Sequence, residues 1–533
     1  MAAGPVAGEK AATDPRPSAR WRRMLEALAD TLAREVGPVS VIETHISAVL
    51  LTTERAYKLK KPVRLGFLDF TRLSQRRHFC REELRLNRRL APDIYLAVRP
   101  VTGSVNAPRL GGSGRTIDYA VEMRRFPQKA LFDRLLAHGA LESTHLDALA
   151  DCIAEFHQRL PPAADDSPYG RPGDIARAAR DNFTALRAGA GTRKHARLDR
   201  LAAWSEAEFR RRRTLLVRRR IDGRVREGHG DLHLGNIVWL DDRPVPFDGI
   251  EFDPALRWQD VHSELAFLTM DLARRGRPDL ARRVRDRYLQ GSGDYSGVPL
   301  IHYFEVYRAL VRAKVARLRA AGATAPGACF AALREYVSCL RFAELTGRPR
   351  RPWLAITHGL AGSGKSHYAD WLVKRLTLIR LRSDVERKRL LGLGAHAHTR
   401  SAINQGAYQR AVTAATYRRL ASLARPILAA GWPVLVDASF LAAGERQRFA
   451  QLAANLGVPF HILDCTAPAD TLRQRVRRRA AQGSDASEAT LAVLETQLAR
   501  YRPLTPGEKA RVITIDSTRP YALPAALNHH LTC

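Results

Sequence analysis

An apolar stretch at 353–357 runs through His358 into Gly359-Leu360-Ala361-Gly362-Ser363-Gly364-Lys365-Ser366, and a helical pattern follows. No other feature narrows the available folds as far. Glycines at these spacings let backbone N–H groups close around an anion, and the helix that starts at the loop favours the same charge. The geometry requires a strand–loop–helix unit. Further apolar strands are predicted at 377–381, 433–436, 461–464 and 512–515, separated by helical patterns. Residues 353–533 therefore read as an α/β P-loop nucleotide-binding domain on a doubly wound parallel sheet of about 180 residues.

Within that unit Gly359, Gly362, Ser363 and Gly364 form the phosphate cradle. Lys365 is placed to contact the β- and γ-phosphates of ATP, and Ser366 to ligate Mg²⁺. The second strand leads into Arg382-Ser383-Asp384-Val385-Glu386-Arg387. Asp384 is a candidate base or acceptor ligand there, with Arg387 as a substrate clamp. The alternative is a helix N-cap, since Ser and Asp both cap well. Asp437, at the end of the strand 433–436, is either a second acidic metal ligand or a turn residue. The run from Leu472 to Arg479, followed by 483–487, resembles the lid of small P-loop kinases. Arg475, Arg478 and Arg479 are its candidates for neutralising a transferring phosphate, and the sequence does not say which of them faces inward.

A second phosphate-handling pattern stands well upstream. In His229-Gly230-Asp231-Leu232-His233-Leu234-Gly235-Asn236 the Asp and Asn are spaced as in a kinase catalytic loop. Asp231 is placed to accept a hydroxyl proton and Asn236 to ligate Mg²⁺. After an apolar strand and a turn comes Pro246-Phe247-Asp248-Gly249-Ile250-Glu251, which puts Asp248 where a second metal-ligating carboxylate belongs. His233 reads as a structural residue that shapes the loop. Further upstream Lys58 lies on a strand, Ala56 to Lys61, from which it can reach the α/β-phosphates. Its helix partner is Glu83, with Glu82 as competitor; the alternative is a solvated strand bearing three lysines. Met123, in Val121-Glu122-Met123-Arg124, falls where an interlobe connection would offer its backbone to adenine.

These residues resemble the aminoglycoside phosphotransferase family of the protein-kinase-like fold, over most of 40–310. The stretches THISAVLLTTERAYKLKKP, CREELRLNRRLAPDIYL and GHGDLHLGNIVWL resemble, more particularly, the branch fused to a C-terminal P-loop domain. The resemblance implies a two-domain chain whose N-terminal part is an α+β bilobal kinase-like fold, with Asp231 as the catalytic residue and Asn236 and Asp248 as metal ligands. One departure is plain: no GxGxxG precedes Lys58. Thr44-His45-Ile46-Ser47 takes the turn, so Ser47 is expected to touch phosphate. The second half resembles the polynucleotide- and gluconate-kinase-like P-loop ATPases over nearly all of 353–520. Neither resemblance fixes an acceptor.

The expected organisation is a disordered tail at 1–20, a kinase-like domain at 21–345, a linker at 346–352 and the P-loop domain at 353–533. No apolar run is long enough to span a membrane, and the N-terminal stretch lacks an apolar signal core. Six scattered cysteines suit reduced thiols in a cytoplasmic protein. The net charge of +33 is carried mainly by arginine. It argues mildly against a cationic acceptor and for an anionic one, and it admits nucleic acid as a partner. The clusters Arg210–Arg213, Arg218–Arg220 and Arg477–Arg479 are either solvated helix faces or polyanion contacts. The leading expectation is an ATP- and Mg²⁺-dependent phosphotransferase with two modules acting on a small hydroxyl compound. The alternatives are a nucleic-acid end kinase in the C-terminal half and a regulatory ATP sensor in one half. The sequence leaves the oligomeric state open.

Overall fold

The computed structural model describes residues 17–65, 68–188, 192–323, 325–394, 409–482 and 490–528. Residues 1–16 of the expected tail and the lid-type segment 483–487 lie outside them. The chain divides into two compact units, one of residues 1–145, 160–170 and 223–264, the other of 146–159, 171–222 and 265–533.

The first unit is built on a six-stranded antiparallel sheet. Its order is Ser40–Glu43, Ser47–Leu51, Arg55–Lys60, Thr116–Arg124, Tyr95–Gly103, Pro108–Leu110. Helix Ala19–Val36 is capped by Ser18, whose hydroxyl accepts from the Trp21 N–H. Trp21, Met24, Leu25, Leu28 and Leu32 recur at helical spacing, and that face packs against Ala48, Leu50, Leu59, Val101 and Ala120 of the sheet. The Trp21 indole and Arg76 both donate to the buried Asp118 carboxylate. Helix Leu73–Asn87 lies against Tyr95–Gly103 and Thr116–Arg124. A second apolar cluster joins Ala56, Val121 and Met123 of the sheet to Val238 and Val245 of the hairpin Ile237–Leu240/Arg243–Pro246. The catalytic-type loop leads directly into that hairpin.

The second unit combines a helical layer with the parallel sheet. Helices Pro172–Arg187, Thr192–Ile221, Ile301–Gly322 and Pro326–Thr346 share apolar cores. The sheet runs Ile379–Arg382, Val434–Asp437, Leu354–His358, Phe460–Thr466, Val512–Asp516, every pair parallel. Leu354–His358 is central and wholly buried, so the P-loop leaves from the middle of the sheet. Helix Pro278–Ser292 of the helical layer packs on helix Lys365–Arg375 and on the edge strand. There Arg380 pairs with Asp286 at 2.6 Å, and Arg282 donates to the Lys374 carbonyl.

One arginine of the clusters differs from both sequence-based expectations. Arg219 is fully buried and gripped through both terminal nitrogens by Asp294, at 2.8 Å each. It is an internal ion pair rather than a solvated or polyanion-facing cation. Among the described residues no disulfide forms, and no helix is long and apolar enough to cross a membrane.

Candidate active sites

In the first unit, strand alternation places Lys58 and Lys60 on one face of the strand Arg55–Lys60. Lys58 Nζ donates to Glu83 Oε1 at 2.8 Å and to Asp248 Oδ1 at 2.5 Å. Lys60 Nζ donates to the other oxygen of the same carboxylate, Glu83 Oε2, at 2.7 Å, and also to Glu251. Five charged side chains thus form one chain, Asp248–Lys58–Glu83–Lys60–Glu251, with Glu83 fully buried at its centre. Burial opposes the charge on Lys58, but Asp248 and then Glu83 hold its ammonium well above the ordinary range. Burial would raise the Glu83 carboxyl, and the two lysines together hold it below its usual value. Glu82, the competitor for Lys58, instead pairs with Arg85. Lys61 points elsewhere. It donates to the Thr44 carbonyl and pairs with Glu43, fixing the turn before the strand Ser47–Leu51.

The catalytic-type loop is held by hydrogen bonds that leave its carboxylate in the site. Glu264 Oε2 accepts the N–H groups of His229 and Gly230, at 2.7 and 3.0 Å. His229 Nε2 donates to the Phe247 carbonyl, and its Nδ1 accepts from the Asp231 N–H. That pattern fixes a neutral imidazole, and burial lowers its pKa in the same direction. His233 Nδ1 accepts the Gly235 N–H, which turns Nε2 toward Asp231 Oδ2 at 3.4 Å. Asn236 Nδ2 donates to the Asp231 carbonyl and to Oδ2. Asp248 has φ +61°, a left-handed conformation held by the Tyr95 hydroxyl on its N–H and by Asn87 on the next one. Such strain in a non-glycine residue concentrates at functional sites.

Two expected participants sit differently. Ser47 is 1% exposed, and its N–H is donated to Thr44 Oγ1 at 3.0 Å. Its hydroxyl is buried with no hydrogen-bond partner. It is drawn into the sheet opposite Lys60 rather than gathered with Lys58 and Asp248. Met123 is buried between sheet neighbours Ala56 and Tyr95, in an apolar cluster with partly buried Val49 and Phe247. Sequence reasoning alone does not find Lys60, Glu251 or Glu264. The i, i+2 spacing of Lys58 and Lys60 is the one local signal for any of them.

In the second unit a cleft of about 750 Å³ gathers nearly all the C-terminal candidates. It is lined by Gly362, Gly364, Lys365, Ser366, Asp384, Arg387, Asp437, Arg475, Arg478 and Arg479. Gly359 and Ser363 complete the loop; the Ser363 N–H donates to the Leu360 carbonyl, and Gly359 lies against the Cys465 carbonyl. Lys365 Nζ folds back on the Leu360 carbonyl at 2.6 Å, and burial lowers its pKa. Ser366 donates to Asp437 Oδ1 at 3.1 Å. Arg387 donates to Asp384 Oδ1 at 2.9 Å, one turn apart on helix Ser383–Leu390. Arg475 is committed to the Gly362 carbonyl and to Ser517, tying helix Ala469–Gln482 to the loop. Arg519 also lines the cleft, and no motif in the sequence singles it out.

At the P-loop the donors present fit the metal that the motif implies. Asp437 is nine-tenths or more buried, and burial raises its carboxyl. Its Oδ2 has no hydrogen-bond partner, with the Arg382 guanidinium 3.7 Å away. A carboxylate oxygen so placed beside the Ser366 hydroxyl suits Mg²⁺, which takes one or two protein ligands and completes its shell with phosphate oxygens and water. Among the described residues no group of three or more His, Cys, Asp or Glu is placed to hold a metal ion by itself.

A family model described as an AAA domain matches residues 354–504. The uncharacterized protein Rv2004c of Mycobacterium tuberculosis is 31% identical over 464 residues, spanning 87% of this chain and 91% of the relative. Two solved structures are also similar. A putative kinase from Chloroflexus aurantiacus is 25% identical over 34% of this chain and all of its own, with TM-score 0.27. A choline/ethanolamine kinase family protein from Mesorhizobium loti is 11% identical over 61% of this chain and 98% of its own, with TM-score 0.35.

Proposed function

The chain belongs to the family of the uncharacterized mycobacterial protein Rv2004c, and for it we propose an ATP-dependent phosphotransferase with two nucleotide-using modules, each moving a γ-phosphoryl group to a hydroxyl acceptor. The observation that carries this reading is the P-loop cleft, where a phosphate cradle, an acidic pair and several arginines face one space of about 750 Å³.

In the first module Asp231 takes the proton of the acceptor hydroxyl while that oxygen forms its bond to the γ-phosphorus. The bond from phosphorus to the β–γ bridging oxygen breaks, and ADP leaves with the electron pair. Lys58, held by Glu83, orients the phosphates, and His233 and Asn236 keep the Asp231 carboxylate in position. In the second module the P-loop amides and Lys365 hold the triphosphate, Asp384 is the base, and Arg387, Arg478 and Arg479 meet the charge that develops on the transferring group. Mg²⁺, when bound through Asn236 and Asp248 or through Ser366 and Asp437, neutralises phosphate charge and aligns the oxygens.

Cations in the cleft outnumber acids. Lys365, Arg387, Arg475, Arg478, Arg479 and Arg519 stand against Asp384 and Asp437. That excess favours an anionic hydroxyl compound as the acceptor of the second module, such as a sugar acid or a phosphorylated alcohol.

The test is transfer from γ-labelled ATP to a panel of neutral, cationic and anionic hydroxyl metabolites and 5′-hydroxyl oligonucleotides. Wild type, Asp231→Asn and Lys365→Ala are compared. Each variant is expected to lose one transfer activity by roughly 10²–10⁴-fold and keep the other. Labelling of oligonucleotide ends would move the second module to the nucleic-acid reading. A wild type that labels nothing and hydrolyses no ATP would sink the proposal.

A further inference from the structure

Away from both clefts, the second unit buries a knot of cationic groups around one indole. Trp432 is wholly buried in the turn between helix Arg410–Ala429 and strand Val434–Asp437. His302, from helix Ile301–Gly322, stacks on it with ring centroids 3.9 Å apart and planes 14° from parallel. Arg285, from helix Pro278–Ser292, and Arg350, just before strand Leu354–His358, place their guanidinium carbons 4.8 and 5.4 Å from the ring centroid. Three separate segments of chain thus converge on Trp432.

The knot is poor in acceptors. Arg285 Nη2, Arg350 Nη1, Trp432 Nε1 and His302 Nε2 are all buried, and none has a hydrogen-bond partner. Three of them are obligate donors, and Arg285 is itself 4% exposed. The nearest carboxylate is Glu305, whose Oε1 stands 3.8 Å from Arg285 Nη1 and already accepts from Thr269. The neighbouring Arg212 is committed to Glu208 and to the Ala430 carbonyl. Both guanidinium groups lean on Glu305, and Asp286, which also acts on Arg285, is taken up by Arg380. Burial, with Arg285 beside it, pushes Arg350 down to about 10. Buried polar groups in native proteins are nearly always satisfied, so this many orphaned donors on one indole calls for a missing acceptor.

We propose that this cluster of buried donors binds a small oxyanion of the phosphate type, with Arg285, Arg350, His302 and Trp432 as its donors. A tetrahedral oxyanion brings acceptors on all sides and no obligatory donor, which complements the knot. Water would bring donors of its own and leave the charge excess in place. Arginine is the cation suited to such a site, because its fork meets two anion oxygens at once and it is weakly hydrated. Bound there, the anion ties helix Pro278–Ser292, helix Ile301–Gly322 and the 346–352 segment to the strand that ends in Asp437. The proposal does not depend on the reading of either nucleotide site.

The experiment titrates inorganic phosphate against potassium chloride at equal ionic strength. It follows tryptophan fluorescence and the unfolding temperature of the full chain. Phosphate is expected to raise the unfolding midpoint by about 2–4 °C over chloride. A rise should persist in Lys365→Ala, which disables the P-loop, and should shrink in Arg350→Gln. The fluorescence response should vanish in Trp432→Phe. Arg350→Lys, which keeps the charge and loses the fork, should need about tenfold more phosphate for half the effect. The site is overturned if phosphate and chloride act alike on wild type. It is equally overturned if Lys365→Ala abolishes the rise, or if Arg350→Gln or Arg350→Lys responds as wild type does.

Discussion

Lys60 and Glu251 form an ion pair with both side chains withdrawn from water. Glu251 lies three residues after Asp248, so this pair, with Lys60–Glu83, fastens the Asp248 loop to helix Leu73–Asn87 independently of Lys58. Removing one partner strands buried carboxylates. Lys60→Met is expected to destabilise by roughly 3–5 kcal/mol. Lys60→Met combined with Glu251→Leu should recover much of that loss, since Glu83 keeps Lys58. Urea denaturation of the three proteins checks this, and a Lys60→Met loss under about 1 kcal/mol would deny Lys60 its part.

Asp437 presents one oxygen to Ser366 and leaves the other without a hydrogen bond. Asp437→Asn keeps the shape and removes the charge that a cation needs. The Mg²⁺ requirement for nucleotide binding at the P-loop should rise by roughly 10–100-fold. Nucleotide binding without Mg²⁺ should change little. Calorimetric titration with and without the metal separates the two, and an unchanged Mg²⁺ requirement would remove Asp437 from the metal site.

What was legible in the sequence was local. The parallel strands declare themselves because buried strands are continuous apolar runs, and the edges at 353–357 and 512–515 fall within about two residues of those observed. Asp231, Asn236 and Asp248 come from one continuous loop–hairpin–loop, so spacing alone brings them near one another. Glu251 meeting Lys60, Glu264 capping the His229 loop, and Arg219 meeting Asp294 are pairings between distant segments, and no local periodicity encodes them. Ser47 sits differently from the expectation for a related reason. A turn before a lysine strand suggests a phosphate contact, but the Thr44 hydroxyl takes its N–H first.

His229 is held neutral, with Nδ1 accepting from the Asp231 N–H and Nε2 donating to Phe247. Its folded pKa lies below the unfolded value of about 6.5. Below that value the unfolded chain binds a proton that the fold refuses, so stability falls as pH drops from about 6.5 toward the folded pKa. The slope is at most ~1.4 kcal/mol per pH unit for this group. Buried His302 adds in the same direction. Unfolding between pH 7.5 and 5.5 should show this loss, and His229→Gln should reduce the slope by up to one proton. An unchanged slope in that variant would mean that His229 does not titrate on unfolding.

Helix Pro278–Ser292 supplies Asp286 to Arg380 and the Gln290 carbonyl to Arg389, the latter on the helix that carries Asp384 and Arg387. A fragment of residues 353–533 loses these partners and uncovers the stack of His302 on Trp432. Arg380 is 5% exposed and would keep only Asp370. The fragment should unfold well below the corresponding transition of the full chain and bind hydrophobic dye. A fragment extended to begin at residue 265 should regain most of the loss. Equal melting of the short and extended fragments would contradict the dependence.

Gly362 has φ +80°, and a Cβ placed there would lie 2.8 Å from the Leu472 carbonyl oxygen. That carbonyl lies in the first turn of helix Ala469–Gln482, which carries Arg475, Arg478 and Arg479. Gly362→Ala therefore strains the loop by roughly 1–2 kcal/mol and pushes the arginine helix away from it. Arg475, which donates to the Gly362 carbonyl and to Ser517, loses its register with the loop. The expected outcome is at least about a tenfold loss of nucleotide affinity, equivalent to ~1.4 kcal/mol, with folding retained. Gly444→Ala is the control: it lies in helix Ala443–Asn455 with nothing within 4 Å of the added carbon, and alanine there should be neutral or stabilising by up to about 1 kcal/mol. Isothermal titration with an ATP analogue decides it. Affinity equal to wild type in Gly362→Ala would show that the loop tolerates a side chain at this position, against the close approach seen between Gly362 and Leu472.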